Sequence, residues 1–140
     1  MQDIRWKQRF NNLQAAYQKL QHAVQANTQC INNKAQTANQ ELIQMALIKA
    51  FEMTFELSWK TMKDYLNYSG IDVQLPRDTI KQAFANQIIT NGQIWINMLE
   101  DRNLMTHTYS EARALKAVNH ICQSYMPQLE QLHQYLLARS

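Results

Sequence analysis

Apolar residues recur along this chain at intervals of three and four, the pattern of helices that each bury one face. In the first segment Trp6, Phe10, Leu13, Tyr17, Leu20 and Val24 follow one another at spacings of 4, 3, 4, 3 and 4. That stripe predicts a helix ending near Ala26. The stretch from Asn27 to Asn39 is rich in Asn, Gln and Thr and is expected to be a loop. A long helix is expected from about Gln40 to Tyr68. Its apolar face carries Leu47, Phe51, Phe55, Trp59, Met62 and Leu66, widened by Ile43, Ile48, Thr54, Ser58 and Tyr65. Gly70 suits the left-handed residue that closes a helix and Pro76 suits a first turn, so a short helix should run from Pro76 to Ile89. Asn91-Gly92 reads as a turn and cap before a helix that carries Trp95, Met98, Leu99 and Arg102. Ser110 is the expected N-cap of the last helix. There Leu115, Val118, Cys122, Tyr125, Leu129, Leu132 and Leu136 repeat at 3, 4, 3, 4, 3 and 4, a core-facing seam. Pro127 lies within that seam and should kink or divide the helix, because its ring clashes with the carbonyl of residue 123.

Four main helices and one short one predict an all-α fold, an antiparallel up-down four-helix bundle with one extra short helix. Composition agrees, since only two glycines and two prolines interrupt a chain dominated by good helix formers. With 140 residues, one domain spanning 1–140 has enough chain to enclose a core. The net charge of +3 is compatible with RNA binding without demanding it. No run of about 18 apolar residues is present and the N-terminus lacks an apolar block, so a cytoplasmic protein with no membrane association is expected. Cys30 and Cys122 stand alone, outside any Cys-x-x-Cys or Cys/His cluster. They are read as reduced thiols, and no metal site is expected.

The polar chemistry gathers in Asp101-Arg102-Asn103-Leu104-Met105-Thr106-His107-Thr108-Tyr109. An always-charged guanidinium suits a phosphate oxygen, an imidazole moves protons near neutral pH, and a phenol donates, accepts or is modified. Together they point to phosphodiester chemistry. A plainer account also fits: Arg102 pairs with Asp101 or another carboxylate, and His107 answers the helix dipole. On the long helix Glu52, Glu56, Lys60 and Asp64 are spaced by four, which reads first as a ladder of ion pairs and second as a source of cleft carboxylates. His22, His120 and His133 flank the apolar seams and are read as surface histidines. The aromatic residues Trp6, Trp59, Trp95, Phe51 and Phe55 are expected in the core, and the methionines as gap fillers. No glycine-rich phosphate loop is present, so neither a self-sufficient nucleotide-hydrolysing enzyme nor a bound cofactor is expected.

Several segments together resemble the nucleotidyltransferase substrate-binding proteins of the HEPN superfamily. They are Ile4 to Phe10, the Phe-Glu-x-x-Phe-Glu-Leu-x-Trp-Lys run from Phe51 to Leu66, Pro76-Arg77-Asp78, and Trp95 through Tyr109 with its Arg-x-x-x-x-His-x-Tyr motif. The likeness runs in order from about residue 4 to residue 137. It implies a helical bundle pairing as a two-fold homodimer, with the Arg/His segments of both subunits lining a shared cleft. It further implies a separately encoded minimal nucleotidyltransferase as partner, in a toxin–antitoxin pair. Under that scheme the chain is a metal-independent endoribonuclease acting on RNA, with Arg102 and His107 at the catalytic positions. Asp101 and Asn103 support them, and Asn103 bonds a phosphate oxygen or orients the histidine. Glu52, Glu56 and Lys60 are candidate cleft residues, and Tyr109 is where the partner transfers AMP to silence the enzyme. The alternative within the same family is a non-catalytic subunit that binds substrate or nucleotide for the nucleotidyltransferase.

Overall fold

The computed structural model describes residues 2–32, 37–107 and 110–140, with side chains beyond the helix-end positions 2–3, 32, 37–38 and 106–107. Six α-helices account for nearly all of it: α1 (Gln2–Asn32), α2 (Thr37–Tyr68), α3 (Pro76–Ala85), α4 (Gly92–His107), α5 (Glu111–His120) and α6 (Met126–Leu137). No strand occurs among the described residues, in keeping with the all-α class read from the sequence.

The expected stripe of α1 is buried: Trp6, Phe10, Leu13, Tyr17 and Leu20 are all within 5% of full burial. The helix does not stop at Ala26, however, but continues to Asn32, and α2 resumes at Thr37. The Asn- and Thr-rich composition misled because the inward face goes on through it. Asn27 is buried and bonds the Cys122 thiol, Cys30 is also buried, and Thr28 turns its hydroxyl back onto the Val24 carbonyl at 3.1 Å. Residues 33–36 lie outside the described residues.

Along α2 the face from Leu47 to Leu66 packs against α1, which runs antiparallel to it. Trp6 meets Tyr65 edge-on at 5.1 Å, and Arg9 reaches Asp64 at 2.8 Å. Thr54, Ser58 and Thr61 are polar yet buried on this face, each satisfied by the carbonyl one turn back at 2.6–2.7 Å. Gly70 closes α2 at φ 91°, with the Ile71 amide bonding the Leu66 carbonyl at 2.9 Å, as the sequence predicted.

The short helix ends at Ala85 and not at Ile89. Gln87 takes the left-handed conformation at φ 62° and the Ile88 amide bonds back to Ala83 at 2.9 Å, which turns Ile88 and Ile89 into the core. Asn91 caps α4 through its side chain to the Ile94 amide at 3.1 Å, and Ser110 caps α5 through the Arg113 amide at 3.2 Å.

Pro127 divides the last helix, with a wider turn as the device. Residues Ile121–Tyr125 form a π-helical segment in which the Met126 amide reaches the Ile121 carbonyl, and α6 restarts with Pro127 in its first turn. One extra residue per turn relieves the clash a proline ring makes inside an α-helix. It also shifts the buried face. Val118, Ile121, Tyr125, Leu129, Leu132 and Leu136 point inward, but Leu115, expected in the seam, is 50% exposed, and Ala114 and Ala117 take the inward side.

Candidate functional site

Neighbouring residues on a helix point about 100° apart, so Asp101 and Arg102 leave α4 toward different partners. Arg102 turns to α2. Its Nη1 donates to Glu56 Oε2 at 2.7 Å, and its guanidinium carbon lies 5.5 Å from the Phe55 ring centroid. Lys60 approaches the other oxygen of Glu56 at 3.2 Å, so a single carboxylate faces two cations. The Arg102 side chain is 20% exposed, and its Nε is buried with no hydrogen-bond partner. The guanidinium is therefore anchored at one nitrogen and retains donor capacity, in a position where its charge is less screened than at an open surface.

Asp101 turns to the junction of α5 and the π segment. Its Oδ2 accepts the Tyr125 hydroxyl and lies 3.2 Å from His120 Nδ1. Burial, then the bond to Asp101 and the negative charges of Asp101 and Glu100, push the Tyr125 phenol well above its ordinary pKa, so it stays a donor. Tyr125 is the last residue of the π segment.

Of the other residues singled out from the sequence, Asn103 is exposed on α4. Glu52 does not join the Arg102 cluster. It lies 3.9 Å from Lys49 and lines a pocket of about 330 Å³ with Met45, Ile48, Met105 and Arg113. The four-spaced row on α2 is a ladder only at Glu56 and Lys60, because Asp64 turns inward to Arg9. His107 is the last residue of α4, about one and a half turns beyond Arg102. Its side chain, and the whole of Tyr109, lie outside the described residues.

Two histidines depart from the surface role expected of them. His120 is half-buried against Asp101, and His133 packs between Phe10 and Tyr17 at ring-centroid distances of 5.5 and 5.4 Å. His22 is exposed, as expected. Nothing in local spacing marks His120 or Tyr125 as partners of Asp101, since 19 and 24 residues separate them from it. The methionines divide: Met62 and Met98 are core, whereas Met45 and Met105 line the pocket beside Glu52. Among the described residues no group of three or more His, Cys, Asp or Glu could hold a metal ion.

The family described as "Nucleotidyltransferase substrate binding protein like" matches residues 8–138. A protein of Haemophilus influenzae named probable ribonuclease HepT is 28% identical over 115 residues, covering 78% of this chain and 79% of its own length. A solved structure from Haemophilus influenzae, described as the fold of a substrate binding domain of a nucleotidyltransferase, superimposes with a TM-score of 0.78 at 25% identity. It covers 91% of this chain and 98% of that one. The tri-AMPylated HEPN toxin of Shewanella oneidensis, solved in complex with MNT antitoxin, shares the fold. Its TM-score is 0.68 at 19% identity, with 90% of this chain and 96% of that one covered.

Proposed function

The chain belongs to the nucleotidyltransferase substrate-binding protein family of the HEPN superfamily, and from that premise we propose that it is a metal-independent endoribonuclease, the toxin of a toxin–antitoxin pair. The observation that carries this reading is Arg102: a half-buried guanidinium fixed by Glu56 over Phe55, on the same helix as His107. In the proposed reaction His107 removes the proton from a ribose 2′-hydroxyl. The freed oxygen attacks the adjacent phosphorus, the bond to the 5′-oxygen breaks, and a 2′,3′-cyclic phosphate and a 5′-hydroxyl result. Arg102 stabilises the charge that builds on the non-bridging oxygens, and no metal is required. The leaving oxygen takes its proton from an acid. An up-down bundle pairing as a two-fold homodimer supplies one, the same histidine of a second copy.

The partner in this reading is a separately encoded minimal nucleotidyltransferase. AMP transferred onto Tyr109 adds bulk and negative charge two residues from His107, repelling RNA as well as blocking it. The named relatives support the pairing, one as a probable ribonuclease and one as an AMPylated toxin with its antitoxin.

A second reading has its own support. Arg102 already has a carboxylate partner, and Met105, three residues along the same helix, lines a chiefly apolar pocket of about 330 Å³, which suits a non-catalytic subunit that binds substrate for the nucleotidyltransferase. Purified protein, shown by intact mass to carry no AMP, is incubated with total RNA and a chelator beside its His107→Ala variant. The proposal expects cleavage by the first and not the second. Cleavage by neither assigns the chain to the substrate-binding role.

A further inference from the structure

Arg113, Lys116 and His120 occupy positions i, i+3 and i+7 of α5, so the helix turns all three to one side. All three line a pocket of about 230 Å³ whose opposite wall is Asp101, Leu104 and Met105 of α4, the helix that carries Arg102. Arg113 and Lys116 are exposed, and the His120 side chain is 43% exposed. The carboxylate on this wall, Asp101, is engaged by the Tyr125 hydroxyl and by His120 Nδ1. Its charge therefore opposes an incoming anion less than a free carboxylate would.

Arg113 and Met105 also line the neighbouring pocket, which is walled by Met45 and Ile48 together with Lys49 and Glu52, a pair 3.9 Å apart. A pocket edged by Arg113, Lys116 and His120 thus shares a border with a chiefly apolar one at the end of α4. A single strand of nucleic acid presents that same alternation, charged backbone beside flat apolar base. An acidic protein segment would match the cations without the apolar pocket.

We propose that the Arg113–Lys116–His120 face of α5 is the track for the RNA backbone, its pocket holding a phosphodiester next to the one cleaved at Arg102 and His107. This rests on the ribonuclease reading and adds to it the path of the substrate. Phosphate contacts of this kind fix the strand's position and are read out as salt dependence.

The test measures binding of a labelled single-stranded oligoribonucleotide by fluorescence anisotropy across a salt series. The parent carries His107→Ala so that the probe stays whole. Reversing two track charges together, Arg113→Glu with Lys116→Glu, should weaken binding at least about tenfold and make the salt dependence shallower by about one to two units of slope. Reversing two exposed lysines elsewhere, Lys19→Glu with Lys81→Glu, changes net charge equally and should leave affinity within about twofold once the salt is moderate. Helical content by circular dichroism and the thermal midpoint establish that each variant is folded. Equal losses in the two pairs, or no loss in the first, overturn the track while RNA cleavage by the native chain still upholds the ribonuclease reading. AMP competing as well as the oligomer would assign the pocket to a free nucleotide and overturn it too. A native chain that cleaves no RNA and a parent that binds none would overturn both.

Discussion

Two arginine–carboxylate pairs tie other helices to α2, and they are built in opposite senses. Eight residues, about 12 Å of helix, separate their carboxylates, Glu56 and Asp64. In the far pair the carboxylate is the hidden member: the Asp64 side chain is 3% exposed and that of Arg9 30%. Around it Trp6, Tyr65 and Tyr135 pack edge to face. In the near pair the arginine is the more hidden, with Arg102 20% and Glu56 34% exposed, and Lys60 shares the carboxylate. A buried carboxylate needs its cation for the fold to form, since an unpaired charge in the interior is strongly destabilising. An arginine whose stem is buried over a ring while its partner meets water can exchange that partner for another anion at much smaller cost. Under the proposed function the far pair therefore serves stability and the near pair serves chemistry.

The largest effect should come from the aromatic packing at the far end. Trp6→Ala empties a site that is 1% exposed and should cost about 3–5 kcal/mol in urea unfolding. RNA cleavage per folded molecule should be unchanged. Next, Arg9→Ala, which strands the buried Asp64 carboxylate, should cost about 3 kcal/mol, whereas Glu56→Ala, which leaves Arg102 with a partly exposed head and a buried stem, should cost no more than about 1 kcal/mol. Comparable losses would erase the distinction between the pairs. Glu56→Ala should also tighten RNA binding a few-fold, because Arg102 then loses its competing anion.

Smaller still is the contribution of the two buried phenols, about 1 kcal/mol each when replaced by phenylalanine. Tyr17, bonded to Glu130, and Tyr125, bonded to Asp101, are both raised well above the ordinary tyrosine pKa, chiefly by burial. The unfolded chain therefore loses these protons first as pH rises. Their stabilisation is complete below about pH 10 and declines above it. Tyr17→Phe and Tyr125→Phe should each flatten the alkaline fall of the thermal midpoint.

The sequence made the far end more readable than the near one. Trp6, Phe10 and Leu13 declare their burial by spacing alone, and so do Met62 and Leu66 on either side of Asp64. Caps such as Ser110 and Asn91, and the closing Gly70, were legible because their chemistry is local. What spacing does not encode is contact between distant positions. Arg102 and Glu56 are 46 residues apart and Asp101 and Tyr125 are 24 apart, so both were found as candidates or core residues but not as partners. The expectation that Arg102 pairs with some carboxylate was met by Glu56. Pro127 announced a break, but the π turn that answers it, and the way it moves Leu115 out of the core, depend on how α5 packs. Asn27 and Cys30 show the converse error, where polar composition concealed an inward face. His107 and Tyr109 rest on the motif alone.

The most direct test replaces each arginine by lysine, which keeps the charge but loses the planar fork of donors. Arg102→Lys and Arg9→Lys are compared for RNA cleavage with chelator and for unfolding free energy. If the two pairs are specialised as described, Arg102→Lys loses at least about 100-fold in cleavage and changes stability little, while Arg9→Lys lowers stability and leaves cleavage intact. Equal effects of the two substitutions on both quantities, or full cleavage by Arg102→Lys, would contradict the account.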